Sequence, residues 1–125
     1  MSEQTQGTIL VIDDEPYILR SLSYLLQREG YSVQTASNGE EGLYRVRSLR
    51  PPLVFLDIMM PRMDGLELLA NIKRDKTLAA IPVIMVTSME RREDQERGLS
   101  LGADAYIVKR KFDQRELLST IRQIL

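Results

Sequence analysis

Polar residues that could carry out chemistry follow four short apolar runs of the sequence. Asp13 and Asp14 follow TILVI, Asp57 follows LVFL, Thr87 follows PVIMV, and Lys109 follows AYIV. If these runs are parallel strands of one sheet, their carboxyl ends lie at one edge, about 4.8 Å apart between neighbours. Three carboxylates, a hydroxyl and an ammonium would then share one pocket.

Such a pocket favours metal-assisted phosphoryl transfer. Its three carboxylates and one ammonium carry a net formal charge of −2, which one divalent ion neutralises. The available ligands are hard oxygens, which suit Mg²⁺ or Mn²⁺. The metal, Thr87 and Lys109 could bind the outer oxygens of a phosphoryl group while a carboxylate attacks in line.

Each of these residues also has an ordinary structural interpretation. An acidic pair after a strand often complements the dipole of the next helix, and a lysine at a strand end is usually solvated. A threonine or aspartate there is often only a loop residue. All five, however, follow apolar strands at the same end, which favours a shared site.

Strand and helix patterns alternate five times along the chain. The predicted strands are residues 8–12, 31–36, 53–56, 82–86 and 105–108, and a helical pattern follows each. This alternation predicts an α/β fold with a parallel sheet covered by helices on both faces. The fourth helix, residues 90–101, is mostly polar, so we expect weak attachment to the core and a capacity to move.

Composition bounds the domain organisation and the chemistry. The 125 residues suit one domain, which we assign to residues 8–125 after a disordered polar tail at residues 1–7. The chain has no Cys and no His, which excludes thiol, zinc-thiolate and histidine-based sites. The net charge of −1 and the lack of a long apolar run or signal-peptide pattern favour a cytoplasmic protein that binds neither nucleic acid nor membrane directly.

Four motifs of this chain resemble those of response-regulator receiver domains, the CheY-like family of two-component signalling. They are VIDDE at residues 11–15, FLDIMMPRMDG at 55–65, VTS at 86–88 and GADAYIVK at 102–109. The resemblance covers about residues 8–125. It implies a doubly wound, flavodoxin-like (βα)5 fold with five parallel strands in the order 2-1-3-4-5.

The resemblance also implies a role for each site residue. Asp57 would accept the phosphoryl group. Asp14 and Asp57 would bind Mg²⁺ directly with the backbone carbonyl of Met59, and Asp13 would act mainly through metal-bound water. Thr87 would donate a hydrogen bond to the phosphoryl group, Lys109 would pair with it, and Tyr106 would turn inward as Thr87 moves.

The implied partners are those of a signalling switch. The phosphoryl donor would be a histidine kinase, a histidine phosphotransfer protein or a small acyl phosphate. The fourth helix, fifth strand and fifth helix would form the face that controls an effector or output domain, with a phosphorylation-dependent dimer as a further option. The chain would be no enzyme beyond its own phosphorylation and dephosphorylation.

One segment departs from the family pattern. Receivers usually have Lys-Pro-Phe after the fifth strand, with a cis peptide before Pro, whereas this chain has Lys109-Arg110-Lys111-Phe112. A cis bond before a residue other than Pro costs about 2.5–4 kcal/mol, so we expect a trans peptide or a rearranged loop. The basic trio at residues 109–111 is either a solvated run or a docking contact for an acidic partner.

Three other functions compete with the phosphorylation switch. An aspartate-nucleophile phosphatase would typically need a second acid at position 59, where this chain has Met59. A flavin carrier would need a phosphate-accepting loop after the first strand, where Asp13, Asp14 and Glu15 would repel phosphate. The third alternative, a receiver-like interaction module that works without phosphorylation, stays open until phosphoryl uptake is measured.

Overall fold

The structure, a computed structural model, describes residues 7–111 and 113–125. Its strands are β1 (Thr8–Ile12), β2 (Ser32–Ala36), β3 (Val54–Leu56), β4 (Val83–Thr87) and β5 (Ala105–Val108). Its helices are α1 (Pro16–Arg28), α2 (Gly39–Leu49), α3 (Gly65–Arg74), α4 (Arg92–Ser100) and α5 (Gln114–Ile124), with a short 3₁₀ turn at Lys109–Lys111. The tail predicted at residues 1–7 lies outside the described residues apart from Gly7 and stays a prediction.

The five strands form one parallel sheet in the order β2-β1-β3-β4-β5, as predicted. Ile12 stands opposite Leu56, and Leu56 stands opposite Met85. Thr87 in turn stands opposite Val108. The carboxyl ends of the central strands therefore lie side by side at one edge of the sheet.

The burial of each strand follows its sequence pattern. The apolar strands β1, β3 and β4 occupy the centre, and β4 is buried at every residue. Strand β2 alternates exposed and partly buried side chains and forms one edge of the sheet, as its alternating sequence predicts. Two apolar clusters cover the two faces of the sheet, one including Leu56 and Met85 and the other Phe55 and Ile84.

Helix α4 differs from the other helices in its weak apolar face. It begins at Arg92, two residues later than predicted, and Gly98 is its only buried residue. No side chain caps its N-terminus. The mostly polar sequence thus leaves α4 with little apolar contact, which agrees with the expectation of weak attachment to the core. Over the described residues, no helix combines the length and apolar character needed to cross a bilayer.

Candidate functional site

The structure brings the three predicted aspartates together at the carboxyl edge of the sheet. Carboxylate oxygens of Asp13, Asp14 and Asp57 all lie within 4.8 Å of one another. Asp13 and Asp57 are buried at 2% and 3% exposure, whereas Asp14 is exposed to solvent. The cluster therefore opens toward solvent at Asp14 and is closed at the other two carboxylates.

Lys109 enters this cluster from the end of β5. Its Nζ lies 2.9 Å from Asp13 Oδ2 and 3.2 Å from Asp57 Oδ2. It also donates to Glu15 Oε1. The Lys109 side chain is only 12% exposed, so its charge is compensated by the protein rather than by water. The lysine holds together carboxylates that would otherwise repel one another.

Glu15 is a member of the site that the sequence did not indicate. An acidic residue just before a helix is ordinarily read as complementing the helix dipole, and Glu15 is the N-cap of α1. Its side chain makes no capping hydrogen bond, however, and reaches Lys109 instead. The contact joins residues that are 94 positions apart, so no local pattern predicts it.

The pKa values of two groups record this environment. Burial raises the pKa of Asp13 to about 6, although the Glu15 main-chain N–H and Lys109 act in the opposite direction. Burial alone would lower the pKa of Lys109, but the carboxylates of Glu15, Asp13 and Asp57 raise it above its ordinary value. Lys109 is therefore a permanent cation in this pocket.

Main-chain hydrogen bonds position the acidic residues. The Asp57 N–H donates to the carbonyl of Ile12 over 3.0 Å, which fixes the end of β3 against β1. After Asp57 the chain turns into α3 at Gly65, whose N–H donates to Ile58 over 2.8 Å. A Cβ at residue 65 would lie 2.0 Å from the main-chain oxygen of Asp57, so only glycine allows this close approach.

The acidic cluster has the donor set that a hard divalent cation requires. Its three carboxylates lie close enough to share one ion, and the exposed Asp14 provides access from solvent. Oxygen ligands of this kind suit Mg²⁺ or Mn²⁺. Beside them, the Met59 N–H lies 3.4 Å from Asp57 Oδ1, which brings the Met59 main chain next to the cluster.

Thr87 and Tyr106 are joined through the loop after β4. Thr87 is fully buried, and its Oγ1 accepts a 3.4 Å hydrogen bond from the main-chain N–H of Met89. The Tyr106 hydroxyl donates to the carbonyl of Met89 over 2.8 Å. Burial, with smaller contributions from Asp94 and Asp57, raises the pKa of Tyr106 to about 12, so the hydroxyl stays protonated. The two predicted switch residues thus share one loop residue as their partner.

The segment that lacks the family's proline forms a compact turn. Lys109–Lys111 is a 3₁₀ turn, and the described residues contain no cis peptide bond, in agreement with the expected rearrangement. Arg110 lies 2.5 Å from Glu90 and Lys111 lies 3.8 Å from it. We call Glu90, Arg110 and Lys111 the Glu90 cluster. The basic trio is thus divided between the acidic pocket and an ion-pair cluster at the protein surface.

A cleft of about 480 Å³ opens beside the exposed Asp14. Met59 and Met89 both line it, together with Leu66 and Arg97. The Ser88 hydroxyl lies 3.7 Å from the sulfur of Met59, so the loops after β3 and β4 meet across this cleft. Apolar thioether groups therefore form part of the rim next to the acidic cluster.

The sequence of this chain is similar to those of known proteins. Residues 9–122 match the family model described as the response regulator receiver domain. The alkaline phosphatase synthesis transcriptional regulatory protein PhoP of Bacillus subtilis is 41% identical over 117 residues, which are 94% of this chain and 48% of PhoP. The chain thus spans about half the length of this curated relative.

Two solved structures are similar to this chain in three dimensions. Chemotaxis protein CheY4 of Vibrio cholerae superposes with a TM-score of 0.87 at 30% identity, covering 96% of this chain and 99% of that one. The CheX-CheY-BeF3-Mg+2 complex from Borrelia burgdorferi superposes with a TM-score of 0.86 at 30% identity, covering 94% of this chain and 88% of that one. This chain thus shares its fold with these two solved structures.

Proposed function

Because this chain belongs to the response regulator receiver domain family of two-component signalling, we propose that it is a switch controlled by phosphorylation of Asp57. The donor is a histidine kinase, a histidine phosphotransfer protein or a small acyl phosphate. Asp14, Asp57 and the Met59 carbonyl would hold a magnesium or manganese ion, and Asp13 would act through water. The domain works in the cytoplasm, where its donor can reach it.

One observation carries this proposal. Asp57 is 3% exposed, lies 3.2 Å from the Lys109 ammonium, whose side chain is 12% exposed, and shares a cluster with two further carboxylates within 4.8 Å. A carboxylate attacks phosphorus well only when the charge that develops on the phosphoryl oxygens is neutralised nearby. The ammonium of Lys109 supplies part of that neutralisation, and the carboxylate cluster would hold a divalent ion that supplies the rest.

The transfer step assigns a role to each side chain. An oxygen of Asp57 attacks the phosphorus, the bond from phosphorus to the donor breaks, and its electron pair leaves with the donor. Lys109 donates a hydrogen bond to one phosphoryl oxygen, and the Thr87 hydroxyl donates to another. The bound metal supplies charge neutralisation at the phosphoryl oxygens when it is present. The chain catalyses only the formation and loss of its own acyl phosphate.

Switching follows from the position of Thr87. When its hydroxyl donates to the phosphoryl group, the loop containing Met89 moves with it, since Met89 contacts both Thr87 and Tyr106. The weakly attached α4 and the adjoining β5 and α5 then form the surface that changes. The change occurs because the phosphoryl group stabilises one arrangement of this surface over the other. The altered surface then contacts an effector, an output domain or a second copy of the chain.

Mass spectrometry after incubation with acetyl phosphate and Mg²⁺ tests the proposal. We expect one added phosphoryl group on the wild type and none on Asp57→Asn. Asp64→Asn is the matched control, because Asn keeps the N-cap that Asp64 gives to α3. Equal phosphorylation of wild type and Asp57→Asn would overturn the assignment. A wild type that stays unmodified would favour the alternative, an interaction module that works without phosphorylation.

A further inference from the structure

The Lys109 ammonium has as many carboxylate partners as it has hydrogens. An ammonium group offers three N–H donors. Here the ammonium donates to Glu15 Oε1 and Asp57 Oδ2 and also lies 2.9 Å from Asp13 Oδ2. Three carboxylates therefore surround it before any phosphoryl group arrives. An approaching phosphoryl oxygen must compete with them for the Lys109 hydrogens.

The three partners differ in how easily they can be released. Asp13 is almost completely buried, so its release would leave an unpaired carboxylate inside the protein, and Asp57 is an equally buried carboxylate until its own oxygen bonds to phosphorus. The Glu15 side chain is 44% exposed and can return to water with most of its hydration restored. The release of Glu15 is therefore the least costly exchange.

The backbone around Glu15 leaves its side chain free to make this exchange. The Glu15 N–H donates to Asp13 Oδ1 over 2.9 Å, and Pro16 follows in the first turn of α1. These features fix the main chain. The carboxylate makes no capping hydrogen bond with the helix, so it can leave Lys109 without unravelling α1.

We propose that Glu15 is a positioning residue that holds Lys109 in the unphosphorylated protein and yields it to the phosphoryl group. This inference rests on the proposed function of Asp57. Glu15 also adds a negative charge beside the incoming anion. On both counts it opposes phosphorylation, and its removal favours the phosphorylated state.

Titration with beryllium fluoride in the presence of Mg²⁺ measures the exchange. The probe forms a tetrahedral mimic of a phosphoryl group on a carboxylate. We expect Glu15→Gln to bind it about three- to tenfold more tightly, because the neutral amide competes less strongly for Lys109 and repels the anion less. Glu40→Gln is the charge-matched control, since Glu40 faces Arg62 at 4.0 Å rather than Lys109. Its affinity should stay within about twofold of the wild type.

A second measurement reports on Lys109 without metal or phosphate. Relaxation of the ¹³Cε signal of Lys109 should show a more mobile side chain in Glu15→Gln and an unchanged one in Glu40→Gln. If the wild type binds beryllium fluoride and Glu15→Gln binds it no more tightly, the exchange is overturned while the proposed function stands. If the wild type does not bind at all, the proposed function fails first. An unchanged Lys109 relaxation would overturn the holding role by itself.

Discussion

The hydroxyl of Tyr106 donates a 2.8 Å hydrogen bond to the main-chain carbonyl of Met89. The N–H of the same Met89 donates to Thr87, the residue whose hydroxyl would meet a phosphoryl group. One loop residue therefore connects the end of β4 with the aromatic ring of β5. That ring also supports α4, because a Cβ at Gly98 would lie 3.3 Å from Tyr106 Cδ2.

The first prediction tests this connection. Tyr106→Phe leaves the Met89 carbonyl without its partner, so we expect the free energy of unfolding to fall by about 1 kcal/mol. Chemical denaturation measures the change, and faster amide exchange at residues 89–91 should accompany it. Tyr44→Phe is the control, since Tyr44 is 71% exposed and should change stability by less than about 0.5 kcal/mol. Equal stability of Tyr106→Phe and wild type would contradict the connection.

The second prediction concerns the Glu90 cluster. Arg110 is 74% exposed and Lys111 is 71% exposed, so their pairing with Glu90 should contribute little despite the short Arg110 contact. A double-mutant cycle with Glu90→Gln and Arg110→Gln should give a coupling of about 0.5 kcal/mol that weakens with added salt. The exposed Arg92–Glu96 pair offers a control cycle of similar size. A salt-independent coupling above about 2 kcal/mol would show that the cluster holds the loop more firmly than its exposure indicates.

Sequence reasoning succeeded where local pattern decides structure. The apolar runs before Asp57 and Thr87 predicted central strands, and their common direction brought the polar residues to one edge. The second strand begins at Ser32 rather than at the predicted Tyr31, because the Tyr31 N–H donates to Leu26 and closes the end of α1. A hydrogen bond to a helix end leaves no signal in a hydrophobic pattern.

The parts that escaped prediction depend on contacts between distant segments. Glu15 looks like an ordinary helix-start acid until the fold brings Lys109 to it. Helix α4 begins at Arg92 rather than at residue 90, and the Glu90 side chain lies beside Arg110 and Lys111. Neither contact between distant segments leaves a signal in the local sequence pattern.

The third prediction uses the raised pKa of Asp13. Burial raises this pKa from 3.8 to about 6, so the stabilising effect of the neutral carboxyl is present below about pH 4 and is lost as pH rises through 6. In metal-free protein, Asp13→Asn should gain stability relative to wild type over that interval. The gain should level off above about pH 7, at about 1–3 kcal/mol.

Denaturation with a chelator present, at intervals from pH 4 to pH 8, measures this difference. Met59→Leu provides a control whose stability relative to wild type should not change with pH, because the substitution removes no ionisable group. A difference for Asp13→Asn that does not grow between pH 4 and pH 6 would contradict the effect of burial.

The fourth prediction separates Asp14 from Asp13 through the metal. Asp14 is the exposed member of the cluster, so Asp14→Asn should change metal-free stability little. It should nevertheless weaken Mg²⁺ binding by about tenfold or more, because a hard cation loses a charged oxygen ligand. The melting temperature as a function of Mg²⁺ concentration measures both effects, since a ligand that binds only the folded state raises it. An unchanged Mg²⁺ dependence in Asp14→Asn would place the ion elsewhere.

The last prediction concerns how long an acyl phosphate on Asp57 would persist. Its hydrolysis needs a water molecule in line with the phosphorus, on the side opposite the Asp57 oxygen. Met59 and Met89 both line the cleft beside Asp14, and the Ser88 hydroxyl lies 3.7 Å from the Met59 sulfur. Thioether sulfur is a weak hydrogen-bond acceptor and no useful base, so we expect these side chains to cover the approach without guiding a water.

Met59→Asn and Met89→Glu, singly and together, should therefore lose the phosphoryl group faster than wild type. We expect at least about a tenfold increase for the double variant, which is below the roughly 100- to 10,000-fold that a well-positioned general acid or base contributes, because the fold does not hold the new side chains in place. Met59→Leu is the matched control, because it keeps an apolar cover of similar volume and should retain slow loss. Phosphoryl loss followed by mass spectrometry after removal of acetyl phosphate gives the rates. If the polar variants lose the group no faster than Met59→Leu, the two methionines do not shield it.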